Sequence, residues 1–384
     1  MNPIRRTLLA TALTAALAAA TGLAHAADPI KIAILQELSG PGTTSGTNAK
    51  NGALLAIKEI NAAGGILGHK IEATVSDTQS NPGVAKGLAQ KAVDDNVFAV
   101  IGPTFSGSIL VSMAETRRAE IPNFTGGEAA SITQQGNPYI FRTSFTQDSA
   151  MPRVARYIAQ TLKAKTLALI YVNNDYGKGG RQALLSALAP LGISVIADVS
   201  TEQGQLDFSA AALKVKQSNA DVVFVYTNEE EAARALRELH KLGITKPIVG
   251  ETVLTSQKVI ELAGDAANGA IAHVGLTVDA PIPGLQVFRS KFEKAFKYTP
   301  DHNGIKGYTG VYLMKAAIEK VGKVDRKAVA QALHGLKVTV AQQPGVLMDV
   351  SIDAHGDIDR ESFMTQVQGG KQVVTAILPA LGTK

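Results

Sequence analysis

Residues 30–65 read IKIAILQELSGPGTTSGTNAKNGALLAIKEINAAGG, and that stretch decides the fold class. Residues 30–35 form a short aliphatic run of strand length, and Ser39, Gly40, Pro41 and Gly42 then supply turn chemistry. A helix follows with Ala49, Ala53, Ala56, Ile57 and Ile60 on one face, stopped by Gly64 and Gly65. This strand–turn–helix unit recurs. A strand at 70–76 leads through Asp77–Pro82 into a helix whose inner face is Val84, Leu88 and Ala92. A strand at 97–101 ends in the loop 102–108 and a helix to about 119, and a short strand at 121–124 ends in Thr125, Gly126, Gly127 and Glu128.

The rhythm restarts at a helix over 150–162. Strands are predicted at 166–171, 194–199, 221–226 and 247–249, with helices at 180–189, 208–217 and 229–242 between them. Two consecutive βα series of similar size predict an α/β protein of two lobes, each a doubly wound parallel sheet. After a strand at 270–276 come amphipathic helices at 285–298, with Val287, Phe288, Phe292, Ala295 and Phe296 inward, and at 308–321. The tail, 346–352, 363–368 and 372–377, reads as hairpin strands.

The amino terminus carries Arg5 and Arg6, an apolar run from Leu8 to Leu23, and Ala24-His25-Ala26 before Ala27. A basic segment, a short apolar core and an A-x-A site describe a secretory signal peptide, residues 1–26, cleaved after Ala26, with a periplasmic product. Of 384 residues, 358 then remain, and loss of two arginines lowers the net charge from +5 to +3. Lys and Arg are scattered without a basic run, which speaks against a nucleic-acid partner. Cysteine is absent, which excludes thiol redox chemistry and thiolate metal sites.

Catalytic patterns fail one after another. The histidines His69, His240, His273, His302, His334 and His355 stand singly, outside any H-E-x-x-H frame. Thr104–Ser108 lacks a G-x-S-x-G elbow, and Gly40–Gly46 misses the dinucleotide fingerprint by a late third glycine and an intrusive proline. Asp353, Asp357 and Asp359 do not match a calcium loop. Glu229, Glu230 and Glu231 suit the acid-rich first turn of a helix. The sequence therefore predicts no enzyme, no metal and no cofactor.

In open parallel sheets, ligands settle beyond the carboxyl ends of the strands. Those loops carry Gly, Ser and Thr in the first lobe, which suit an anion at a helix start. In the second lobe they carry Tyr176, Asn228 and Glu251, which suit an ammonium, an amide or an apolar side chain. The candidate ligand contacts are Phe105, Ser106, Gly127, Glu128, Tyr176, Asn228 and Glu251. A zwitterion or small carboxylate fits between such walls.

Seven segments in order resemble one family. They are Ile32–Leu35 with Leu38–Pro41, Ala56–Gly68, Asp77–Pro82, Val100–Pro103, Ile140–Thr143 and Asn174–Gly177. The mature chain is similar to the substrate-binding proteins of branched-chain amino acid ABC transporters, with the type I periplasmic binding protein fold. The resemblance implies two lobes joined by a three-stranded hinge, 27–145 plus 277–345 and 146–276 plus 346–384, which close on an amino acid or related small carboxylate. It also implies a monomer that delivers its ligand to a membrane permease. By motif, Ser106 and nearby amides would hold the ligand carboxylate, the Gly126-Gly127 loop would offer backbone groups, Tyr176 would cover the ligand, and Glu251 would pair with its ammonium. Two departures make this pocket more polar than the family pattern: Gly126-Gly127-Glu128-Ala129 replaces a Ser/Thr-rich loop, and the aromatic often found near Asn228 is missing. Basic, polar or amide-bearing ligands, and aromatic or other small acids, are the alternatives to an aliphatic amino acid. A sensor subunit that regulates a partner is the alternative to transport.

Overall fold

The repeated strand–turn–helix unit builds two separate parallel sheets in the computed structural model, which describes residues 27–382. The expected signal peptide, 1–26, lies outside those residues. The first sheet takes β1 (Ile30–Gln36), β2 (Ile71–Asp77), β3 (Ala99–Ile101), β4 (Asn123–Thr125) and β5 (Ile140–Arg142) in the order β2-β1-β3-β4-β5, all parallel. Helices α1 (Thr43–Ala62), α2 (Pro82–Asp94) and α3 (Ser106–Arg118) connect its first four strands. Side chains of a strand alternate between faces. Ile30, Ile32 and Ile34 accordingly pack with Ala53, Ala56 and Ile60 of α1, while Ala33 and Leu35 pack with Ala89 and Ala92 of α2. Because the chain runs outward in opposite directions from β1, the loops after β1 and β3 diverge and leave a crevice at the switch point.

The second lobe begins with α4 (Gln147–Gln160) and continues β6 (Thr166–Val172), α5 (Asp175–Leu188), β7 (Ser194–Thr201), α6 (Ser209–Ser218), β8 (Val222–Tyr226), α7 (Glu229–Lys241), β9 (Ile248–Glu251), α8 (Gln257–Ala263) and β10 (Ile271–Val274). The chain then returns to the first lobe through α9 (Pro283–Phe296), α10 (His302–Val321), α11 (Arg326–Leu333) and a small antiparallel sheet of β11 (Lys337–Val338), β12 (Val350–Ile352) and β13 (Ile358–Asp359). It crosses back once more, and β14 (Ser362–Gln368) and β15 (Lys371–Leu378) add antiparallel strands to the second sheet, ordered β15-β14-β10-β9-β8-β6-β7.

Several expectations shift. Helices α4 and α5 start at Gln147 and Asp175 rather than at 150 and 180, and α10 starts at His302 rather than at 308. On α9 the inward set is Leu285, Phe288 and Phe292; Val287 is 53% exposed and Ala295 also faces solvent. Their positions fall outside the stripe that the 285, 288, 292 spacing defines. The tail assigned to the second lobe from 346 onward also divides differently. Val346, Met348, Val350, Ile352 and Ile358 are buried in the first lobe's core, and the carbonyl of Gly356 accepts a bond from the Arg142 amide at 2.8 Å. Pairing with the second sheet starts only at Ser362.

The crossovers meet around one aromatic ring. Phe145 lies beneath the guanidinium groups of Arg153, 4.9 Å from its centroid, and Arg360, at 5.7 Å. Arg360 also donates to the Thr143 carbonyl at 3.0 Å and so ties the first crossover to the third.

Candidate functional site

Where the carboxyl ends of the two sheets face each other lies a cleft with about 720 Å³ of empty space, solvent included. Several helix starts border it, among them those of α3, α5, α7 and α10. Unpaired amides and the aligned peptide dipoles make a helix start attractive to anions. At α5 and α10 the first-turn amides are already taken by Asn174, which accepts from the Gly177 amide, and by Asp301, which accepts from those of Asn303 and Gly304. The start of α7 has no side-chain cap either, but its first turn carries Glu229, Glu230 and Glu231, which repel an anion. The start of α3 is uncapped and free of acids. Its capping residue is Phe105, which has no side-chain acceptor, so the first-turn amides of Ser106, Gly107 and Ser108 have no side-chain cap. Ser106 is the first helical residue rather than the cap, and its Oγ accepts weakly from the Ala129 amide at 3.3 Å.

A buried acid fixes the loop before α3. Glu37 accepts from the amides of Thr104 at 3.0 Å and Phe105 at 3.2 Å. Burial pushes its carboxyl above the ordinary range, while those amides and Ser108 pull the other way. The neighbouring loop is held by Arg142, which is fully buried. It bonds Asp357 at 2.7 Å, the Ala129 carbonyl at 3.1 Å, Thr133 at 3.0 Å and the Gly127 carbonyl. Close approach explains the glycine at 127: a Cβ there would stand 2.3 Å from Ile109 Cδ1 and 3.2 Å from Ser106 Oγ.

From the second lobe, Tyr176 borders the cleft, its ring stacked on Tyr226 at 4.2 Å between centroids. Its hydroxyl is buried and has no partner. Burial, and then the charge of nearby groups, holds both tyrosine hydroxyls well above their ordinary pKa, so both are neutral donors. The lobes also touch across the cleft. Ser45 Oγ donates to Glu229 Oε1 at 2.7 Å, and the Tyr226 hydroxyl donates to Glu128 Oε2 at 3.4 Å. Lobes bridged in this way are in a closed arrangement.

Of the residues singled out from sequence, Phe105, Ser106, Gly127, Glu128, Tyr176 and Asn228 border this one cleft. Glu251 does not. It borders a smaller adjoining cavity together with Glu128, Lys306 and Arg360, and its carboxylate accepts from His273 Nδ1 at 3.0 Å and from the Thr252 amide. Glu128 is also more than a solvated acid. It accepts from Lys306 Nζ at 3.2 Å, and burial, reinforced by the charge of Glu251 and opposed by Lys306, pushes its carboxyl up to about 7.

Sequence reasoning missed His302, Asn303 and Lys306, which α10 brings to the cleft, and the reach of Ser45 and Glu229 across it. Asp301 was the available signal, because a capping Asp before His302 marks the true helix start. Buried beside Glu229, Asp301 has a carboxyl pushed up to about 7, mostly by desolvation. His302 is held neutral by burial and by Lys306. Among the described residues no group of three or more His, Asp or Glu is placed to hold a metal, and no helix is long and apolar enough to cross a membrane.

Known proteins share this architecture. The Leu/Ile/Val-binding protein BraC3 of Rhizobium johnstonii is 31% identical over 376 residues, covering 97% of this chain and 99% of the relative. The solved branched-chain amino acid transporter substrate-binding protein LivJ of Streptococcus pneumoniae, in complex with isoleucine, superposes with a TM-score of 0.82 at 25% identity, over 92% of this chain and 99% of that one. A solute-binding protein of an R. palustris ABC transporter in complex with benzoate has the same fold, with a TM-score of 0.84 at 21% identity, over 93% of this chain and 98% of that one. The model of the periplasmic binding protein family matches residues 29–372. With two wound lobes closed over a cleft, the chain belongs to the periplasmic binding protein family, among the relatives of the Leu/Ile/Val-binding proteins.

Proposed function

We propose that this protein is exported by its amino-terminal leader and serves as the solute receptor of an ABC importer, holding an amino acid or related small carboxylate between its lobes as a monomer. The carrying observation is the start of α3, whose first-turn amides lack a side-chain cap while Ser106 and Tyr176 border the same cleft. A carboxylate satisfies those amides and is favoured by the helix dipole. Tyr176, whose buried hydroxyl lacks a partner, closes over the bound solute. The crossovers around Phe145 act as the hinge, and the closed form presents a surface to the permease that the open form does not. Ligand drives closure because it binds the closed state better than the open one.

The test is a thermal-shift screen against the twenty amino acids and a set of aliphatic, aromatic and oxo acids. A ligand at a hundred times its Kd stabilises by about 2.7 kcal/mol, which gives a clear shift in Tm. A screen with no stabilising carboxylate contradicts the proposal.

A further inference from the structure

The carboxylate end of the cleft already contains a cation. In an α-amino acid the ammonium is attached one carbon away from the carboxylate, so a carboxylate at Ser106 brings its ammonium to the acceptors around that residue. Each of these is engaged. The Gly126 carbonyl accepts from Lys306 Nζ at 3.2 Å, and the Gly127 carbonyl accepts from Arg142 and from Ser144 Oγ at 3.0 Å. Glu128 spends one oxygen on Lys306 and the other on the Tyr226 hydroxyl. When ionised, its single negative charge is matched by the ammonium of Lys306, whose side chain is only 7% exposed, and when protonated it leaves that ammonium unmatched.

Lone pairs remain on these oxygens, but charge decides. A second ammonium would meet Lys306 in a desolvated site, where like charges repel strongly. Displacing Lys306 would leave a buried cation without a partner, which is costlier still. Free nearby are two neutral amide oxygens, Asn303 Oδ1 and Gln147 Oε1, which carry no charge to offset Lys306. Two donors are also free, the Tyr176 hydroxyl and the third proton of Lys306. These donors welcome an acceptor.

Resting on the reading of the cleft as a carboxylate site, we infer that the solute is an acid with no ammonium beside its carboxyl group, its α-carbon bearing hydrogen, a carbonyl or a ring, and that Lys306 sets this preference. Calorimetry on the mature chain tests it with matched probes: leucine against 4-methylpentanoate and 4-methyl-2-oxopentanoate, and phenylalanine against 3-phenylpropanoate, with benzoate alongside. The amine-free member binds about thirtyfold tighter or better, the scale of discrimination set by one mismatched charged group in a closed site. Lys306→Met narrows that ratio by about tenfold or reverses it, because Glu128 and the Gly126 carbonyl are released to an ammonium, whereas Lys306→Arg keeps it. An amino acid that binds the wild type as tightly as its amine-free partner overturns the inference and leaves the carboxylate site standing. Binding by none of the probes overturns both. A ratio unchanged in a folded Lys306→Met protein removes Lys306 from the role, and the wild-type comparison holds even if that variant does not fold.

Discussion

The two walls of the cleft are built in opposite ways. On the first lobe, Glu37 and Arg142 pin the loops before and beside α3, and the carbonyls of Gly126 and Gly127 are spoken for. On the second lobe, the Tyr176 hydroxyl and Gln147 Oε1 are buried without partners, and Glu229 and Tyr226 reach over to the opposite wall. A wall with its polar atoms satisfied by its own lobe is an anchor that exists before ligand arrives. A wall that leaves some polar atoms unpartnered and completes others across the gap is a jaw, and those interactions are gained on closing.

Breaking the anchor is expected to have the largest effect. Arg142→Met strips the guanidinium from Asp357 and from the Gly127 and Ala129 carbonyls, with only the Thr133 hydroxyl left to Asp357 and Ser144 to Gly127. Loss of one partner of an ion pair buried on one side costs about 3 kcal/mol. Urea denaturation measures the loss, and the ligand-induced Tm shift disappears with it.

Protonation comes next. Glu128 is raised from its ordinary 4.5 to about 7, and Asp301 from 3.8 to about 7. The folded protein therefore keeps protons that the unfolded chain has released. Stability from these groups is fully present below those ordinary values and is lost as pH rises through about 7. Glu128→Gln removes its share, on the order of 2 kcal/mol, and flattens stability between pH 5 and 7 in denaturation series; an unchanged slope contradicts the burial argument.

Smaller changes separate ligand contact from fold. Ser106→Ala lowers affinity for the best carboxylate about tenfold, the worth of a hydrogen bond to a charged group, with stability nearly unchanged. Tyr176→Phe removes a hydroxyl that the free protein leaves unsatisfied, so it weakens binding without weakening the fold. Ser45→Ala removes one interlobe bond, worth about 1 kcal/mol, so solution scattering at subsaturating ligand shows a larger open fraction. An effect of Ser45→Ala equal to that of Arg142→Met would erase the distinction between jaw and anchor.

The anchor was also the more legible wall. Strand β1 and loop 102–108 declare themselves through a continuous aliphatic run and a Gly/Ser/Thr cluster, because a strand buried on both faces needs the first and a helix start near a ligand needs the second. The jaw depends on side-chain direction, which spacing does not carry. Glu251 was expected in the loop after its strand, yet it is the last residue of β9 and turns toward His273 instead of the cleft. Glu229 suited a helix dipole, and it does more by reaching Ser45. The start of α10 was illegible for another reason: residues 302–314 are all buried, so no polar face marks a helical period there. Lys306, which neutralises Glu128, went unseen with it.

The most direct test is a crystal structure of the protein with the best carboxylate from the thermal-shift screen. The account predicts its carboxyl oxygens at about 3 Å from Ser106 Oγ and the amides at the start of α3, beneath the ring of Tyr176. A solute bound with its carboxylate turned away from α3, or outside the cleft between the lobes, would contradict it.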